Sequence, residues 1–571
     1  MGEAGNGALH KRKAHLHLRA SKAHQNIERA QALLFYSKTP KQAILYVAHT
    51  HKKATRMNQK WREGYFTGTH YIHDYAPHLN PVFQRYCLLL RSELPSLTST
   101  SESAHHCELG FGQGLSINIH AAANPGRYTG TDFDAAQTLN AQRMAASFGD
   151  NANLLDASFE QLLAQHDGTH FDSIGLHGIW TWISKENRSA ITEFARRHLK
   201  PGGILYNSYN CFPGWAPVHP LRQLFSLYDR FEGTEKGAAQ RVEGALKFAD
   251  DLLTANPNYL LTVPSLHERL KGIATKDFRY LAHEYFNNAW DCMYFTDVVE
   301  ELAAAKLDYA GTTTLLDQID IINLSEPAQT FLERAQHPIL KEQLRDYFVN
   351  RQFRMELYTR GTHKISAVEQ RERLLDTRFV LLKTLEDTPL TVSGTFAQAN
   401  LKNTHYPEFL QTLAEDGNTP KSLRQIASTH SEISWQTYLQ IITILVGMGS
   451  IAPCHPETTT EQVAKRCRAL NRYICDRACF NGEVAQLASP VTGGGIGVTR
   501  LEQLFLLARE ADNKTPQEWG QFAWQILEPQ GIRSTTNGLS QTPADSLIGF
   551  IKEAERFAER KLYILQALGV A

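Results

Sequence analysis

The stretch CELGFGQGLSINIHAAANPGRYTGTDFD, residues 107–134, decides the fold. It begins with an acidic residue, Glu108, and continues with three glycines at alternate positions, from Gly110 to Gly114. A helix-capable run and a second strand ending at Asp132 follow, which is the order of the first βαβ unit in a nucleotide-type α/β sheet. Because glycine has no Cβ and an unrestricted φ, this loop lets the backbone approach a ligand closely.

The pattern E-x-G-x-G-x-G differs from two common phosphate-binding loops. It has no lysine, which excludes the P-loop that grips a triphosphate, and its spacing is not the G-x-G-x-x-G of a dinucleotide site. Asp132 lies 18 residues beyond Gly114, close to the offset of about 20 residues at which an acid binds a ribose. We therefore expect a nucleoside-containing ligand, with Asp132 preferred over Asp134 as the residue that binds its ribose.

Strand and helix signals continue to alternate after residue 134, as a doubly wound parallel sheet requires. The segment NLLDASFEQL (153–162) places an acid after a third strand, and FDSIGLHGIWTWIS (171–184) reads as a buried fourth strand followed by a tryptophan-rich loop. A helix over 185–198, the turn LKPGG (199–203) and a fifth strand, ILYNSYN (204–210), come next. Together these pieces resemble the class I S-adenosylmethionine-dependent methyltransferases.

That resemblance implies a Rossmann-like seven-stranded core and S-adenosylmethionine as the cofactor. It also implies that the acid after the second strand bonds the ribose, and that the acid after the third strand lies near the adenine. The segment before the first strand, rich in tyrosine and histidine, often forms a lid over the methionine end in this family. Tyr65, Tyr71 and Tyr75 are candidates to bond the cofactor carboxylate or to line the acceptor channel, and the equal alternative is that they are ordinary half-buried aromatics. The residues expected around the cofactor are Glu108, Gly110, Gly112, Gly114, Asp132, Phe133, Asp156, Ala157, His177 and Tyr71.

Several later segments narrow the resemblance to methyltransferases that carry a methyltransferase regulatory domain. The motifs HGIW (177–180) and YNCFPGW (209–215) resemble the signature of these bacterial enzymes, whose best understood relatives are rickettsial protein lysine methyltransferases. Residues 279–311 resemble the regulatory domain, a helical insertion beside the active site, and residues 345–361 and 487–496 resemble parts of the C-terminal half. The resemblance covers residues from about Trp61 to the end of the chain.

Methylation of a lysine sets a chemical requirement for the acceptor site. The ε-amine must lose a proton against an ordinary pKa of about 10.4, and burial in an apolar aromatic slot beside a cation lowers that pKa. The residues predicted to act in catalysis are Tyr209, Asn210, Trp180 and His177, with Tyr209 or Asn210 orienting the amine. His177 is also expected either to contact the sulfonium end of the cofactor or to relay a proton. The alternative is that His177 is a core histidine with satisfied hydrogen bonds and no role in catalysis. The residues predicted to bind the substrate are Trp182, Trp215, His283 and Glu284.

Composition limits the other classes of function. The 571 residues carry 59 basic and 59 acidic side chains and are 42% hydrophobic, so no global basic excess favours nucleic acid as a partner. No run reaches the length of about 18 to 20 apolar residues that a membrane span needs. The eight cysteines have no paired spacing and no apolar signal segment stands at the start, which favours a cytoplasmic protein with free thiols and no metal site.

The sequence also predicts a division into segments. These are a basic helical arm (1–60), a cofactor-binding domain (61–225), a helical regulatory domain (226–325), a linker or helical segment (326–365), a winged-helix-like α+β domain (366–460) and a C-terminal α or mixed domain (461–571). The second helix of the winged-helix-like part, around 435–447, is apolar and carries no Arg or Lys. It is therefore expected to pack against protein rather than to bind DNA.

The function predicted from the sequence is methyl transfer from S-adenosylmethionine, with a protein lysine as the acceptor and a protein substrate as the partner. Two alternatives stay open, namely a methyltransferase for a small metabolite or a peptide amide, and a non-catalytic adaptor that binds S-adenosylmethionine. The intact glycine loop with both acids favours an active enzyme. A homodimer is a further possibility that the sequence leaves open.

Overall fold

A seven-stranded sheet forms the centre of the computed structural model. The structure describes residues 71–95, 101–165, 168–233, 236–287, 289–361, 363–402, 404–536 and 539–571. The strands of the central sheet are β1 His105–Leu109, β2 Arg127–Asp132, β3 Ala152–Asp156, β4 Phe171–Leu176, β5 Leu199–Asn210, β6 Asp308–Thr312 and β7 Phe353–Thr359. The predicted basic arm and Tyr65 lie outside the described residues.

The order of the strands confirms the predicted Rossmann-like core. Across the sheet the order is β3-β2-β1-β4-β5-β7-β6. Strands β1 to β5 pair in parallel, whereas β7 is inserted between β5 and β6 and runs antiparallel to both. The strand order reverses between β1 and β4, and ligands of open α/β sheets bind outside the carboxyl ends of the strands at such a point.

Helices cover both faces of the sheet and make up most of the remaining chain. The longer helices are α1 Pro81–Leu90, α2 Leu115–Ala123, α3 Ala135–Ala145, α4 Phe159–Gln165, α5 Lys185–His198, α6 His219–Phe231, α7 Ala238–Thr254, α8 Leu266–Ala274, α9 Phe278–Tyr285, α10 Phe295–Ala303, α11 Glu326–Glu333, α12 Pro338–Val349, α13 Ala367–Asp376, α14 Tyr406–Asn418, α15 Leu423–Thr429, α16 Trp435–Gly447, α17 Glu457–Ala478, α18 Arg500–Glu510, α19 Pro516–Leu527, α20 Pro543–Arg560 and α21 Leu562–Ala567. Shorter turns of helix lie at Pro77–Leu79, Trp180–Trp182, Tyr259–Thr262, Leu315–Gln318, Asp320–Asn323 and Glu528–Gln530. No helix among the described residues is long and apolar enough to cross a membrane.

The helical insertion between β5 and β6 has a core of its own. Helix α6 begins next to a proline and turns Leu221, Phe225 and Tyr228 to its buried side, which is the spacing of one helix face. These side chains pack with α7, α8 and α9 in a cluster separate from the cores beneath the sheet. The insertion therefore stands at the carboxyl end of β5, where it can form one wall of a cleft.

Two strands of the sheet come from segments that the sequence had divided differently. Strand β6 lies within residues 226–325, predicted as a helical regulatory domain, and β7 lies within residues 326–365, predicted as a linker or helical segment. Both strands are largely buried. The chain thus leaves the sheet after β5, forms the helical insertion, and returns to complete the same sheet.

The region predicted to be winged-helix-like contains a second, three-stranded antiparallel sheet. Its strands are β8 Arg378–Leu381 in the middle, with β9 Lys421–Ser422 and β10 Ile451–Cys454 on either side. Helix α16 buries Ile441, Ile442 and Leu445 completely, so its predicted packing role agrees with the structure. After β10 the chain enters α17 rather than a second strand, so the hairpin wing of a winged helix is not formed at that point.

The C-terminal half is attached to the cofactor-binding half through hydrogen bonds as well as apolar packing. The Asn80 side chain donates to the Thr492 carbonyl at 2.9 Å, and the Asn124 side chain donates to the Gly493 carbonyl at 2.6 Å. Further pairs of short strands lie at Glu93–Leu94 with His363–Lys364, Thr391–Ser393 with Gln398–Asn400, Gln486–Ala488 with Gly495–Gly497, and Thr535–Thr536 with Leu539–Ser540. The loop over residues 489–494 therefore contacts the segment that leads into α1.

Candidate active site

The glycine loop after β1 is held in a conformation that only glycine adopts readily. Gly110, Gly112 and Gly114 have φ values of +74°, +57° and +76°, in the left-handed region where a Cβ is strained. A Cβ on Gly110 would lie 2.4 Å from the Ile179 side chain, and a Cβ on Gly114 would lie 2.3 Å from the Ala141 side chain. The loop is thus packed between α3 and the loop that follows β4.

The Asp132 carboxylate, at the end of β2, shapes this loop directly. One carboxylate oxygen accepts a hydrogen bond from the Gly112 amide at 2.9 Å, and the other accepts one from the Asp134 amide at 2.9 Å. Asp134 instead caps α3. Asp132 therefore occupies the position expected of a ribose-binding acid, and the preference for it over Asp134 is consistent with the geometry.

Two acids at this edge have strongly raised pKa values. Burial raises the pKa of Glu108 to about 8, with a further contribution from the Asp132 charge. Burial likewise raises the pKa of Asp132 to about 7, against the lowering effect of the two backbone hydrogen bonds that it accepts. Paired buried acids of this kind are typical of functional sites.

The sheet places the residues predicted near the adenine beside those predicted near the ribose. Asp132 and Asp156 are partners in the register of β2 and β3, and the Asp156 side chain is exposed. Ala157 is buried and its amide donates to the Asp132 carbonyl at 3.1 Å. Phe133, half-buried, follows Asp132 directly, so a polar edge and an aromatic ring are available to a purine.

Tyr71 lies over the glycine loop, as the predicted lid requires. A Cβ on Gly112 would lie 4.0 Å from the Tyr71 ring, and the Gln113 side chain donates to the Tyr71 carbonyl at 3.2 Å. On its other side the Tyr71 ring meets His283 edge to face, with 5.2 Å between the ring centroids. Tyr71 therefore connects the cofactor-binding loop to α9 of the helical insertion.

Tyr75 agrees with the second of the two interpretations, that of a packed aromatic residue. Its hydroxyl accepts a hydrogen bond from the Gly495 amide at 2.6 Å and lies 3.1 Å from a ring nitrogen of His120. The ring also packs directly on Gly495, where a Cβ would come within 2.9 Å of it. Tyr75 thus anchors the lid segment to the C-terminal half, rather than bonding the cofactor or lining an acceptor channel.

His177 stands just past the end of β4 and is held by two hydroxyls. Its Nδ1 lies 2.9 Å from the Tyr206 hydroxyl and 3.2 Å from the Ser208 hydroxyl. Burial lowers the pKa of His177 to about 4, so the imidazole is neutral near pH 7. A neutral, fixed ring suits contact with the cofactor and is poorly suited to relay a proton.

Two residues predicted to act in catalysis are instead part of the core. Trp180 and Tyr209 are both fully buried and pack with α5 and α10 against one face of the sheet. The Tyr209 hydroxyl donates to the Glu356 carboxylate at 2.6 Å. Because consecutive residues of a strand point to opposite faces, Tyr209 points away from its neighbour Asn210, and the structure does not bring Tyr209 or Trp180 to the cleft.

Asn210 and the remaining tryptophans form a connected wall at the carboxyl end of β5. The Asn210 amide donates to the Thr181 hydroxyl at 3.3 Å, and its oxygen accepts a hydrogen bond from the Trp215 indole at 2.9 Å. Trp290, which the sequence did not single out, lies 5.1 Å from Trp215 and 6.1 Å from Trp182, measured between ring centroids. The predicted pair Trp182 and Trp215 is therefore joined through Trp290.

Acidic side chains near this wall come from α9 and from the lid segment. His283 is buried against Tyr71, while Glu284 is half-buried. Burial raises the pKa of Glu284 to about 8, and the charges of Arg222 and Asp74 also act on it. Glu284 thus lies within electrostatic range of the lid segment and of α6.

Comparisons with known proteins agree with this geometry. A family model described as a methyltransferase domain matches residues 107–205, and one described as a predicted methyltransferase regulatory domain matches residues 277–360. An uncharacterized protein of Synechocystis sp. is 34% identical over 516 residues, which cover 90% of this chain and 100% of that protein. The chain belongs to the class I S-adenosylmethionine-dependent methyltransferases that carry a regulatory domain.

Other relatives of this methyltransferase are rickettsial. An uncharacterized protein of Rickettsia prowazekii is 27% identical over 236 residues, covering 40% of this chain and 88% of that protein. The structure of PKMT2 from Rickettsia typhi in complex with AdoHcy superposes with a TM-score of 0.64 at 20% identity, covering 87% of this chain and 100% of that one. At this identity the structural likeness supports the fold.

The described residues fit S-adenosylmethionine, the cofactor of this methyltransferase family. The positive φ values of the loop, the close packing that a Cβ would prevent, and the buried acid bonded to the loop together form a cradle for a nucleoside. In this cradle Asp132 would hold the ribose, Asp156 and Phe133 would meet the adenine, and Glu108 with Tyr71 would face the amino-acid end. These contacts stay predictions for the individual residues.

Proposed function

We propose that this methyltransferase modifies the ε-amine of a protein lysine. The observation that carries the proposal is the wall of Trp182, Trp215 and Trp290 at the carboxyl end of β5. The half-buried carboxyl of Glu284 lies within electrostatic range of Arg222, which packs on Trp290. Aromatic rings suit the apolar stem of a lysine and attract its cation through their faces. The rickettsial relative of known structure is named PKMT2, which adds support without naming an acceptor for this chain.

When bound, S-adenosylmethionine supplies a methyl group that its sulfonium has already activated. The work left to the protein is to align the acceptor nitrogen, to exclude water and to remove a proton. We assign alignment to the aromatic wall, which Asn210 braces through its bonds to Thr181 and Trp215. Tyr71 and His283 close the cleft from the lid side.

Glu284 is the group proposed to receive the proton of the lysine ammonium. Its pKa, raised to about 8 by burial, is well matched to a general base that works near neutral pH. An arriving ammonium would also favour the ionised form of the carboxyl, since opposite charges at close range lower the pKa of an acid. His283 then acts by holding α9 against Tyr71 rather than by exchanging protons.

The cytoplasm is the proposed compartment, because all eight cysteines are free thiols and most of them are buried. Cys467 and Cys475, which lie close together in sequence, belong to the apolar core around α17. Free thiols in these positions are compatible with a reducing environment.

The experiment is transfer of radiolabelled methyl from S-adenosylmethionine into a cell lysate, separated into protein and small-molecule fractions. The proposal expects label in protein, and none with Asp132→Ala. Label confined to small molecules would replace the proposal by the metabolite alternative. If the protein bound S-adenosylmethionine and no acceptor was labelled in either fraction, the adaptor alternative would stand.

A further inference from the structure

A buried arginine that forms no ion pair among the described residues lies in the aromatic wall. Arg222, on the buried side of α6, is only 6% exposed. Its guanidinium carbon lies 4.5 Å from the ring centroid of Trp290 and 5.8 Å from that of Trp182. One guanidinium nitrogen donates to the Asn287 carbonyl at 2.8 Å, whereas Nε has no hydrogen-bond partner among the residues that the structure describes.

One carboxyl, that of Glu284, acts on this charge without forming an ion pair with it in the described part of the chain. The ion pairs of the described residues include none to Arg222, although Glu284 is close enough to act on its pKa. Burial lowers the pKa of Arg222 to about 10, which still leaves the group charged near pH 7. The indole nitrogen of Trp290, in the same stack, is also buried and has no acceptor within the described part of the chain. Buried cations are normally paired, since an unpaired charge is costly to remove from water.

The position of Arg222 ties this unsatisfied charge to the cleft. The loop 177–182 presses on the glycine loop, because the Ile179 side chain fills the space beside Gly110. Arg222 packs on Trp182 at the end of that loop, and the Asp291 amide, next to Trp290, donates to the Thr181 carbonyl at 2.9 Å. Arg222 is therefore connected to the glycine loop through Trp182 and the loop 177–182.

We propose that Arg222 is an anion-binding residue of the cleft and that its partner is a carboxylate carried by a ligand. The guanidinium presents donors in a planar fork that matches a carboxylate. Two ligands offer such a group: the acceptor, through an acidic residue beside the target lysine, and the cofactor, through its amino-acid end. The acceptor version rests on the proposed function, while the cofactor version does not.

Calorimetric and kinetic measurements on the full chain distinguish these sources. The variant is Arg222→Met, which keeps the apolar packing on the tryptophans and removes the charge. The first arm compares binding of S-adenosylmethionine with that of its decarboxylated analogue, which differs only in lacking the carboxylate. The second arm compares methylation of acetylated Glu-Lys and Gln-Lys dipeptide amides.

Two results would support the proposal. Loss of one charge-assisted hydrogen-bonded pair predicts an effect of about tenfold or more. If the acceptor supplies the carboxylate, the variant raises the KM of the Glu-Lys peptide by that factor, leaves the Gln-Lys peptide unchanged, and binds both cofactor forms like the wild type. If the cofactor supplies it, the variant loses that factor in affinity for S-adenosylmethionine but not for the decarboxylated analogue.

Two further variants keep the inference falsifiable. Arg509→Met removes another arginine that stacks on a tryptophan, with its guanidinium carbon 5.8 Å from the Trp519 ring centroid in the C-terminal half, and should change neither arm. Arg222→Lys, which keeps the charge, should retain part of the discrimination if Arg222→Met misfolds.

The inference is overturned if the folded variant treats both ligand pairs as the wild type does, or if Glu284→Gln reproduces its effects, because Glu284 would then be the true partner. If the wild type methylates no peptide and no lysate protein, the proposed function fails while the cofactor arm still tests Arg222.

Discussion

Replacing Asp132 by asparagine tests the cofactor cradle with a change of one functional group. The two carboxylate oxygens each accept a backbone hydrogen bond of 2.9 Å, from Gly112 and from Asp134. An asparagine offers one oxygen and one NH₂ group, so one of these backbone amides would face a donor instead of an acceptor. The variant also has no negative charge for the hydroxyls of a ribose.

The expected loss follows from these contacts. A hydrogen bond to a charged group contributes about 1.5 to 3 kcal/mol, and the substitution removes at least one of the bonds that shape the loop together with one that would reach the ligand. Part of this loss affects the free and the bound protein alike and therefore does not reduce affinity. We expect AdoHcy to bind about 100-fold more weakly, which is a loss of about 2.7 kcal/mol in binding free energy. Isothermal titration calorimetry at constant pH measures this directly.

Asp134→Asn is the matched control, because it makes the same chemical change two residues further on. The Asp134 side chain caps α3 by accepting from the Ala136 amide at 2.8 Å, and asparagine caps helices about as well as aspartate. Its affinity for AdoHcy should stay within about twofold of the wild type. The reasoning is refuted if Asp132→Asn binds AdoHcy like the wild type, or if both variants are weakened equally.

The pH dependence of binding gives a second readout of the same residue. Because burial raises the pKa of Asp132 to about 7, part of the free protein carries a neutral carboxyl near pH 7. If the ionised form accepts the ribose hydroxyls, affinity for AdoHcy rises between about pH 6 and about pH 8. The slope should be smaller in Asp132→Asn, and a wild-type affinity that falls over this range would contradict the assignment.

Three further substitutions test other parts of the molecule. The pKa of Glu108 rises from 4.5 to about 8 on folding, so between these pH values the native state keeps a proton that the unfolded chain has lost, and stability falls as pH rises. Glu108→Gln should therefore raise the melting temperature relative to wild type more at pH 8 than at pH 5, and an equal change at both pH values would argue against this. Gly495→Ala should displace the Tyr75 ring, because a Cβ would lie 2.9 Å from it, and should thereby destabilise the protein by about 1 to 3 kcal/mol and raise the KM for S-adenosylmethionine. Unchanged denaturation and kinetics would show that the contact is dispensable. Tyr209→Phe should lower the free energy of unfolding by about 1 to 3 kcal/mol, because it removes a buried donor to Glu356, and should leave the kcat of the folded enzyme within twofold. A large fall in kcat with the cofactor site saturated would show that Tyr209 belongs to the catalytic site.

The cofactor side of the site could be predicted from the sequence because its residues are local to strand ends. Glu108, Asp132 and Asp156 each belong to the carboxyl end of a parallel strand, and parallel pairing brings those ends to one edge of the sheet. The glycine pattern reflects a backbone conformation that the sequence itself encodes. No knowledge of distant contacts was needed for this part.

The acceptor side depends on contacts between distant segments, and there the prediction was less complete. Arg222 and Trp290 are brought together by the packing of the helical insertion, and the sequence pattern assigns neither of them a role. The prediction placed Tyr209 and Asn210 in one site, but neighbours in a strand point to opposite faces. The structure therefore buries Tyr209 against Glu356, whereas Asn210 bonds Thr181 and Trp215 and keeps its predicted place. Strand β7 was taken for a linker because its antiparallel partner strands lie far away in sequence.

The most direct test of the account is the chemical identity of the methylated residue. Labelled protein from the lysate reaction would be hydrolysed in acid and its amino acids separated. The account predicts that the label elutes with ε-N-methylated lysine, and that it is absent with Asp132→Ala. Label released as methylamine would mark a methylated amide, and label in any other amino acid would mark another acceptor; either result would contradict lysine as the acceptor.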